Sequence, residues 1–315
     1  MNSIKLKKMS YLKFKFFFSS DEDGTFWPGV VELPVEKEVT IDDPSNDENK
    51  NQRIITGIIL FAVLSLFFLN KLSAFILLIL IAFIAAKEWF DLFEYSIFIP
   101  YPLLLFSALA PLIVVYFYDL SDIIVPYFIF PLGLIIYLGF FTNYAIYDKF
   151  GSAIVFHSWF SIGIASLATL VRYEELIFVY FSILSISISD IFAYEIGKRI
   201  GRRKLAENIS PNKTIEGFLA GLLIGSLFMT FNITINLDKP FLQSLFISVF
   251  FIFFGVLGDL FMSKIKRSIN VKDSGTIFPG HGGLLDRIDS YLISFPFLLI
   301  AVSYTHLTLP TKRIV

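Results

Sequence analysis

The chain has 315 residues, 56% of them hydrophobic and 17% aromatic, with 38 Phe and a formal net charge of -1. A soluble domain is about 45–50% apolar, so this composition excludes an ordinary water-exposed globule, and the near-zero charge excludes a global nucleic-acid footprint. Cysteine is absent and histidine occurs only three times, which removes disulfide and thiolate chemistry and leaves a His-based zinc centre poorly supplied.

Residues 1–20 are basic and Phe-rich (KLKKMSYLKFKFFFSS). They are too short and too interrupted to span a bilayer, lack the core and cleavage site of a signal peptide, and suit a basic amphipathic segment lying on a membrane surface. Residues 21–52 are acidic, carry Pro28, Pro34 and Pro44, and read as a flexible linker. The extension 1–52 is assigned no role.

From Ile54 onward apolar runs approach bilayer length at 54–69, 72–86, 102–118, 123–141, 153–171, 176–196, 215–235, 241–261 and 285–302. Each must be a helix, because lipid offers the backbone no hydrogen-bond partner. The expected fold is an all-α, polytopic integral membrane protein of about nine transmembrane helices, with eight to ten in range. The links after even-numbered spans hold Lys87, Lys149, the cluster from Lys198 to Lys213 and the polar stretch 258–290, whereas the opposite links hold only Lys71, Arg172 and Lys239. The positive-inside rule then places the N-terminus and the stretch 258–290 in the cytoplasm.

Two polar blocks interrupt this pattern. The first, 189–218, reads SDIFAYEIGKRIGRRKLAENISPNKTIEGF. Asp190 sits inside an apolar span, where an ionisable group is expensive and faces a partner or a watery cavity. Asp190, Tyr194, Gly197 and Gly201 recur at helical spacing. A snorkelling basic helix end accounts for Lys198 to Lys204 but not for Asp190 or for Ser210-Pro211-Asn212-Lys213-Thr214. That pentapeptide is expected to open the next helix, where Ser210, Lys213 and Thr214 form a candidate anion site.

The second block, 258–290, reads GDLFMSKIKRSINVKDSGTIFPGHGGLLDRIDS. It interleaves Asp259, Asp273, Asp286 and Asp289 with Lys264, Lys266, Arg267, Lys272 and Arg287. A topology-setting loop explains the cations but not the four carboxylates or PGHGG. Carboxylates hold divalent metals, while cations and backbone N–H groups hold phosphate oxygens. Asp259, Ser263 and Lys266 share one helical face. Arg267 and Arg287 suit bidentate phosphate contacts, and Gly280, Gly282 and Gly283 admit close backbone approach.

The second block resembles the signature of the phosphatidate cytidylyltransferase (CDP-diacylglycerol synthase) family. The correspondence runs through Ser263, Lys266-Arg267, Lys272-Asp273, Gly275, His281-Gly282-Gly283 and Asp286-Arg287-Ile288-Asp289. The first block resembles the same family through Asp190, Ala193-Tyr194, Gly197, Ser210-Pro211, Lys213-Thr214 and Glu216-Gly217, and the resemblance covers about 53–303. It implies a CTP-dependent transferase that makes CDP-diacylglycerol and pyrophosphate from CTP and phosphatidate, integral to a membrane (the cytoplasmic membrane if the source is bacterial), with its active site facing the cytoplasm. Such a reaction rests on positioning and charge neutralisation. The catalytic set is then Asp259, Lys266, Arg267, Lys272, Asp273, His281, Asp286, Arg287 and Asp289. Substrate binding falls to Asp190, Tyr194, Ser210, Lys213, Thr214, Ser263, Lys264, Gly282 and Gly283. Asp259 and Asp286 are the first choice for Mg²⁺, with a second cation and a homo-oligomer left open and no nucleic-acid partner. Two alternatives stand beside this reading: another membrane CTP-dependent lipid enzyme, either a lipid kinase or a CDP-archaeol-type synthase, and a transporter of an anionic solute. The transporter would need internal repeats, yet PGHGG occurs once.

Three smaller readings complete the chain. Trp89, in Lys87-Glu88-Trp89, is expected as an interfacial anchor, and the Glu-Trp pair is a weak family feature. His157 is expected to pack rather than react. Residues 304–315 break the pattern and read as a disordered or non-native tail.

Overall fold

The computed structural model describes residues 18–20, 26–28, 47–94, 101–117, 147–278 and 282–307. The chain divides into two units, Met1–Pro44 and Ser45–Val315. In the first, strands β1 (Phe18–Ser20) and β2 (Phe26–Pro28) pair antiparallel, with Ser19 opposite Trp27. The stretch read as a linker thus supplies β2, and its last residues belong to a helix of the second unit.

The second unit is predominantly helical. Its helices among the described residues are α1 (Asp47–Phe67), α2 (Lys71–Leu92), α3 (Tyr101–Phe117), α4 (Tyr147–Tyr173), α5 (Leu176–Ile200), α6 (Ile215–Asn236), α7 (Phe241–Ser268) and α8 (Leu285–Leu307). Among the described residues five segments are long and apolar enough to cross a membrane: Lys71–Leu92, Gly151–Tyr173, Leu176–Ile200, Ile215–Asn236 and Phe241–Ser268. The apolar parts of α1 and α3 are shorter, Ile55–Phe67 and Leu104–Phe117. The expected span at 123–141 lies outside the described residues, so the helical membrane class stands without the count of nine. Helix α8 runs four residues past the expected end of the pattern at Ser303.

A second departure is local. Ser210–Thr214 does not open a helix. It forms strand β4, paired antiparallel with β3 (Lys204–Ala206) through Lys204↔Thr214 and Ala206↔Ser210. Pro211 lacks the N–H a helical turn would use and suits a short edge strand. Thr214 then caps α6, its hydroxyl accepting from Gly217 N at 3.1 Å.

The bundle packs on large rings and small residues. Trp89, Phe156, Phe160, Phe178, Phe251 and Phe295 are fully buried. Trp89 is therefore no interfacial anchor: Phe93, Phe156 and Trp159 surround it at 4.8, 5.2 and 6.0 Å between ring centroids. His157 is buried, with Nδ1 2.5 Å from Ser107 Oγ. Helices α5 and α6 meet along Gly217, Gly221 and Gly225, spaced four apart against Ala193 and Ser189. That small-residue seam lets backbones approach in an apolar medium. Asn232 bridges the same pair, donating to Phe178 O at 3.0 Å and Ser182 Oγ at 3.1 Å. Leu219, Leu223, Phe231, Leu242 and Phe246 point outward, as a lipid-facing surface requires.

Candidate active site

The polar blocks converge where the C-terminal ends of α2, α5 and α7 meet β4 and the N-terminal ends of α6 and α8. Helix α7 supplies Asp259, Ser263 and Lys266 one turn apart, as the spacing predicts. Asp259 is half-buried. Its Oδ1 accepts from Ser263 Oγ at 3.2 Å, and its Oδ2 accepts from Lys213 Nζ at the end of β4. Lys213 therefore joins the carboxylate of the second block rather than standing in a separate anion site.

One turn on, Lys266 Nζ donates to Asp286 Oδ1 at 2.5 Å, and both side chains are nearly buried. Asp286 Oδ2 accepts two backbone donors, Ser274 N at 2.8 Å and Gly283 N at 3.2 Å. Asp286 thus ties the loop leaving α7 to the loop entering α8. Gly282 makes this closure possible with φ +81°, a backbone state that side chains resist. A Cβ there would also lie 2.7 Å from Asp286 Oδ2. The loop is braced further by Phe278 N donating to Gly282 O at 3.0 Å and by Val271 N donating to Lys266 O at 3.0 Å.

Asp289 is buried one turn into α8. Its Oδ1 accepts from Ser290 N at 2.7 Å. Gly258 of α7 packs against the backbone of Asp289 and Ser290, which brings Asp259 and Asp289 close enough for their charges to act on each other. Lys213 and Lys266 act on Asp289 as well. Asp190 of α5 is exposed, within range of the charges of Lys213, Asp259 and Arg287. Tyr291 and Ser187 join α8 to α5, with their hydroxyl oxygens 2.9 Å apart.

The sequence from 51 to 305 matches the model described as the cytidylyltransferase family. The chain belongs to this family. It is similar to proteins named phosphatidate cytidylyltransferase: 47% identical over 124 residues to that of Bacillus subtilis strain 168, covering 39% of this chain and 46% of the relative. The corresponding proteins of Staphylococcus saprophyticus and Staphylococcus haemolyticus are 43% identical over 136 residues and 44% over 132, each covering 41% of this chain and 50% of the relative. The chain spans about half the length of the curated relatives it matches.

Within the cytidylyltransferase signature the structure separates residues that converge from those that do not. Asp190, Lys213, Asp259, Ser263, Lys266, Gly283, Asp286 and Asp289 come together. Lys264, Lys272, Asp273 and Arg287 are exposed around that cluster. Arg267 serves the loop itself, donating to Val271 O at 2.7 Å. Tyr194 is 61% exposed, with Lys198 Nζ 5.9 Å from its ring centroid. Ser210 is half-buried in β4, and Thr214 is committed to its cap. His281 and Gly280 lie outside the described residues.

Sequence reasoning passed over Glu88. This residue of α2 is 4% exposed, and its carboxylate accepts from the second block 196 and 197 positions away. The available signal was a carboxylate at the end of an apolar run, in the weak Glu-Trp match.

Proposed function

We propose that this chain transfers a cytidylyl group from CTP to phosphatidate, giving CDP-diacylglycerol and pyrophosphate. An oxygen of the phosphatidate phosphate attacks the α-phosphorus of CTP. A new P–O–P bond forms, and the bond from the α-phosphorus to the oxygen bridging toward the β-phosphate breaks, so that pyrophosphate leaves with that electron pair. The attacking phosphate is already ionised, so no general base is required, and the protein's contribution is orientation and neutralisation of charge.

The observation that carries this reading is the convergence of both sequence blocks on one carboxylate, through Lys213, Ser263 and Asp259. Lys213, Lys264, Lys272 and Arg287 are the cations placed to neutralise two approaching anions. The donor set also fits Mg²⁺. Among the described residues no three His, Cys, Asp or Glu gather as a metal group, but Mg²⁺ takes only one or two carboxylates, completing its shell with phosphate oxygens and water. Bound there, the ion would neutralise charge developing on the phosphates. Asp259 would be one ligand. Asp289, whose neighbour Ser290 packs with it against Gly258 beside Asp259, would be the other, because Asp286 already accepts three donors. The charge asymmetry of the links supports a cytoplasmic site, where nucleotide triphosphates are found.

The test is a product assay on purified protein in membranes, with labelled CTP, phosphatidate and Mg²⁺. A CDP-lipid is the expected product. Folded protein that binds both substrates and forms none under varied metal conditions overturns the reading.

A further inference from the structure

Helix α8 carries Asp286 and Asp289 in its first turns, so its N-terminus must be held still for the site to keep its shape. A helix start leaves backbone N–H groups without intrahelical acceptors, and a polar side chain at the preceding residue ordinarily accepts from them. Here that residue is Leu284, whose side chain accepts nothing. Glu88 of α2 takes over the task from 196 residues away. Its Oε1 accepts from Leu284 N at 2.6 Å and its Oε2 from Leu285 N at 2.8 Å. Ser274 Oγ, in the loop leaving α7, donates to Oε2 at 3.3 Å. A negative charge at this end of the helix is also favoured by the helix dipole.

The surroundings are shaped to the carboxylate. A Cβ on Gly275 would lie 2.8 Å from Glu88 Oε1, and one on Gly283 would lie 2.7 Å from it. Both glycines belong to the polar loop, and both leave the space that Glu88 fills. The residue after Ser274 and the residue before Leu284 therefore close on the same side chain. Trp89, buried against Phe93, Phe156 and Trp159, fixes the adjoining turn of α2.

We infer that Glu88 is a positioning residue for the site: it clamps the start of α8 and the turn at Ser274-Gly275, and so sets where Asp286 and Asp289 stand. It touches no reacting atom. The inference concerns the same site as the proposed cytidylyl transfer and rests on that reading for its kinetic part, while its structural part stands on the hydrogen bonds alone.

The test compares the full-length chain in membranes with Glu88→Gln and Glu88→Ala. Gln keeps one acceptor oxygen but turns an NH2 toward the other backbone donor, so it satisfies one of the two N–H groups. Ala satisfies neither. Amide exchange is read on peptides spanning 282–290, with α6 as the internal reference. Exchange at Leu284 and Leu285 should rise about tenfold in Glu88→Ala and less in Glu88→Gln, with α6 unchanged. In the same samples kcat should fall by about tenfold or more in Glu88→Ala, with Gln between, while KM for CTP moves by less than about twofold. Unchanged exchange at Leu284 and Leu285, or raised exchange with unchanged kcat, overturns the inference. So does exchange that rises equally in α6, which reports general loosening. If Glu88→Ala does not insert, Glu88→Gln carries the same comparison. A wild-type chain that makes no CDP-lipid counts against the reaction, and the exchange data still decide whether Glu88 holds α8.

Discussion

Lys213 and Asp259 are 46 positions apart and form an ion pair that joins β4 to α7. It is the contact through which the two polar blocks of the sequence become one site. Both side chains are partly open to water, so screening limits what the pair contributes to stability, and its importance should appear in turnover instead. Asp259→Asn should insert and fold normally but lose about 100-fold or more in kcat, the scale of removing one electrostatic stabiliser from a transition state. Its Mg²⁺ requirement should rise, and Asp289→Asn should do the same. Metal titrations of CDP-lipid formation check both, and normal Mg²⁺ dependence in the two variants would move the metal elsewhere.

Lys266 and Asp286 should behave in the opposite way. Their pair is nearly buried, and removing one member of such a pair strands the other, at a cost of about 3–5 kcal/mol. Lys266→Met should therefore lower the thermal unfolding temperature in detergent well beyond any change seen in Asp259→Asn. Asp286→Ala should do so too, because it also strips an acceptor from Ser274 N and Gly283 N. A Lys266→Met protein as stable as wild type would show that the loop closes without the pair.

Asp190 is exposed on α5, within range of the charges of Lys213, Asp259 and Arg287. Asp190→Asn keeps shape and hydrogen-bonding capacity while removing charge. Turnover should drop by about tenfold or more, with insertion and thermal stability unchanged. Unchanged turnover would leave Asp190 a structural residue and confine the site to the loops around α7 and α8.

Neither 1–44 nor 308–315 carries a residue of the two polar sequence blocks. Trimming 1–44 and 308–315, cut outside α1 and α8, should leave CDP-lipid formation in membranes intact. A trimmed protein that inserts normally and is inactive would place one end in the site.

Much of this was legible in the sequence because membrane helices announce themselves by length and composition. The apolar runs at 72–86, 176–196, 215–235 and 241–261 lie within α2, α5, α6 and α7, since lipid leaves the backbone no alternative to a helix. Helical periodicity also placed Asp259, Ser263 and Lys266 on one face. What periodicity does not carry is pairing across the chain. Nothing local to Lys213 points to Asp259, nothing local to Asp286 foretells its donor Ser274 N, and Glu88 has its partners 186 to 197 positions away. SPNKT misled for a different reason. Its Thr214 is a sound helix cap, but the strand Ser210–Thr214 pairs with Lys204–Ala206 through Lys204↔Thr214 and Ala206↔Ser210, a tertiary choice that propensity does not decide. Trp89 misled because an aromatic near a helix end suits an interface and a core equally well, and only the neighbouring Phe93, Phe156 and Trp159 distinguish them.

The hydrogen bonds from Leu284 and Leu285 to Glu88 also bear on modularity. Residues 241–307 contain the whole second block, from Gly258 to Ser290, and look like a cassette that could be cut out and installed in another bundle. They are not one. A graft of that segment would carry all the carboxylates and cations of the block and still arrive with the first backbone donors of its last helix unsatisfied. A recipient scaffold would have to present an acceptor of its own at that spot, on a helix that the graft does not contain.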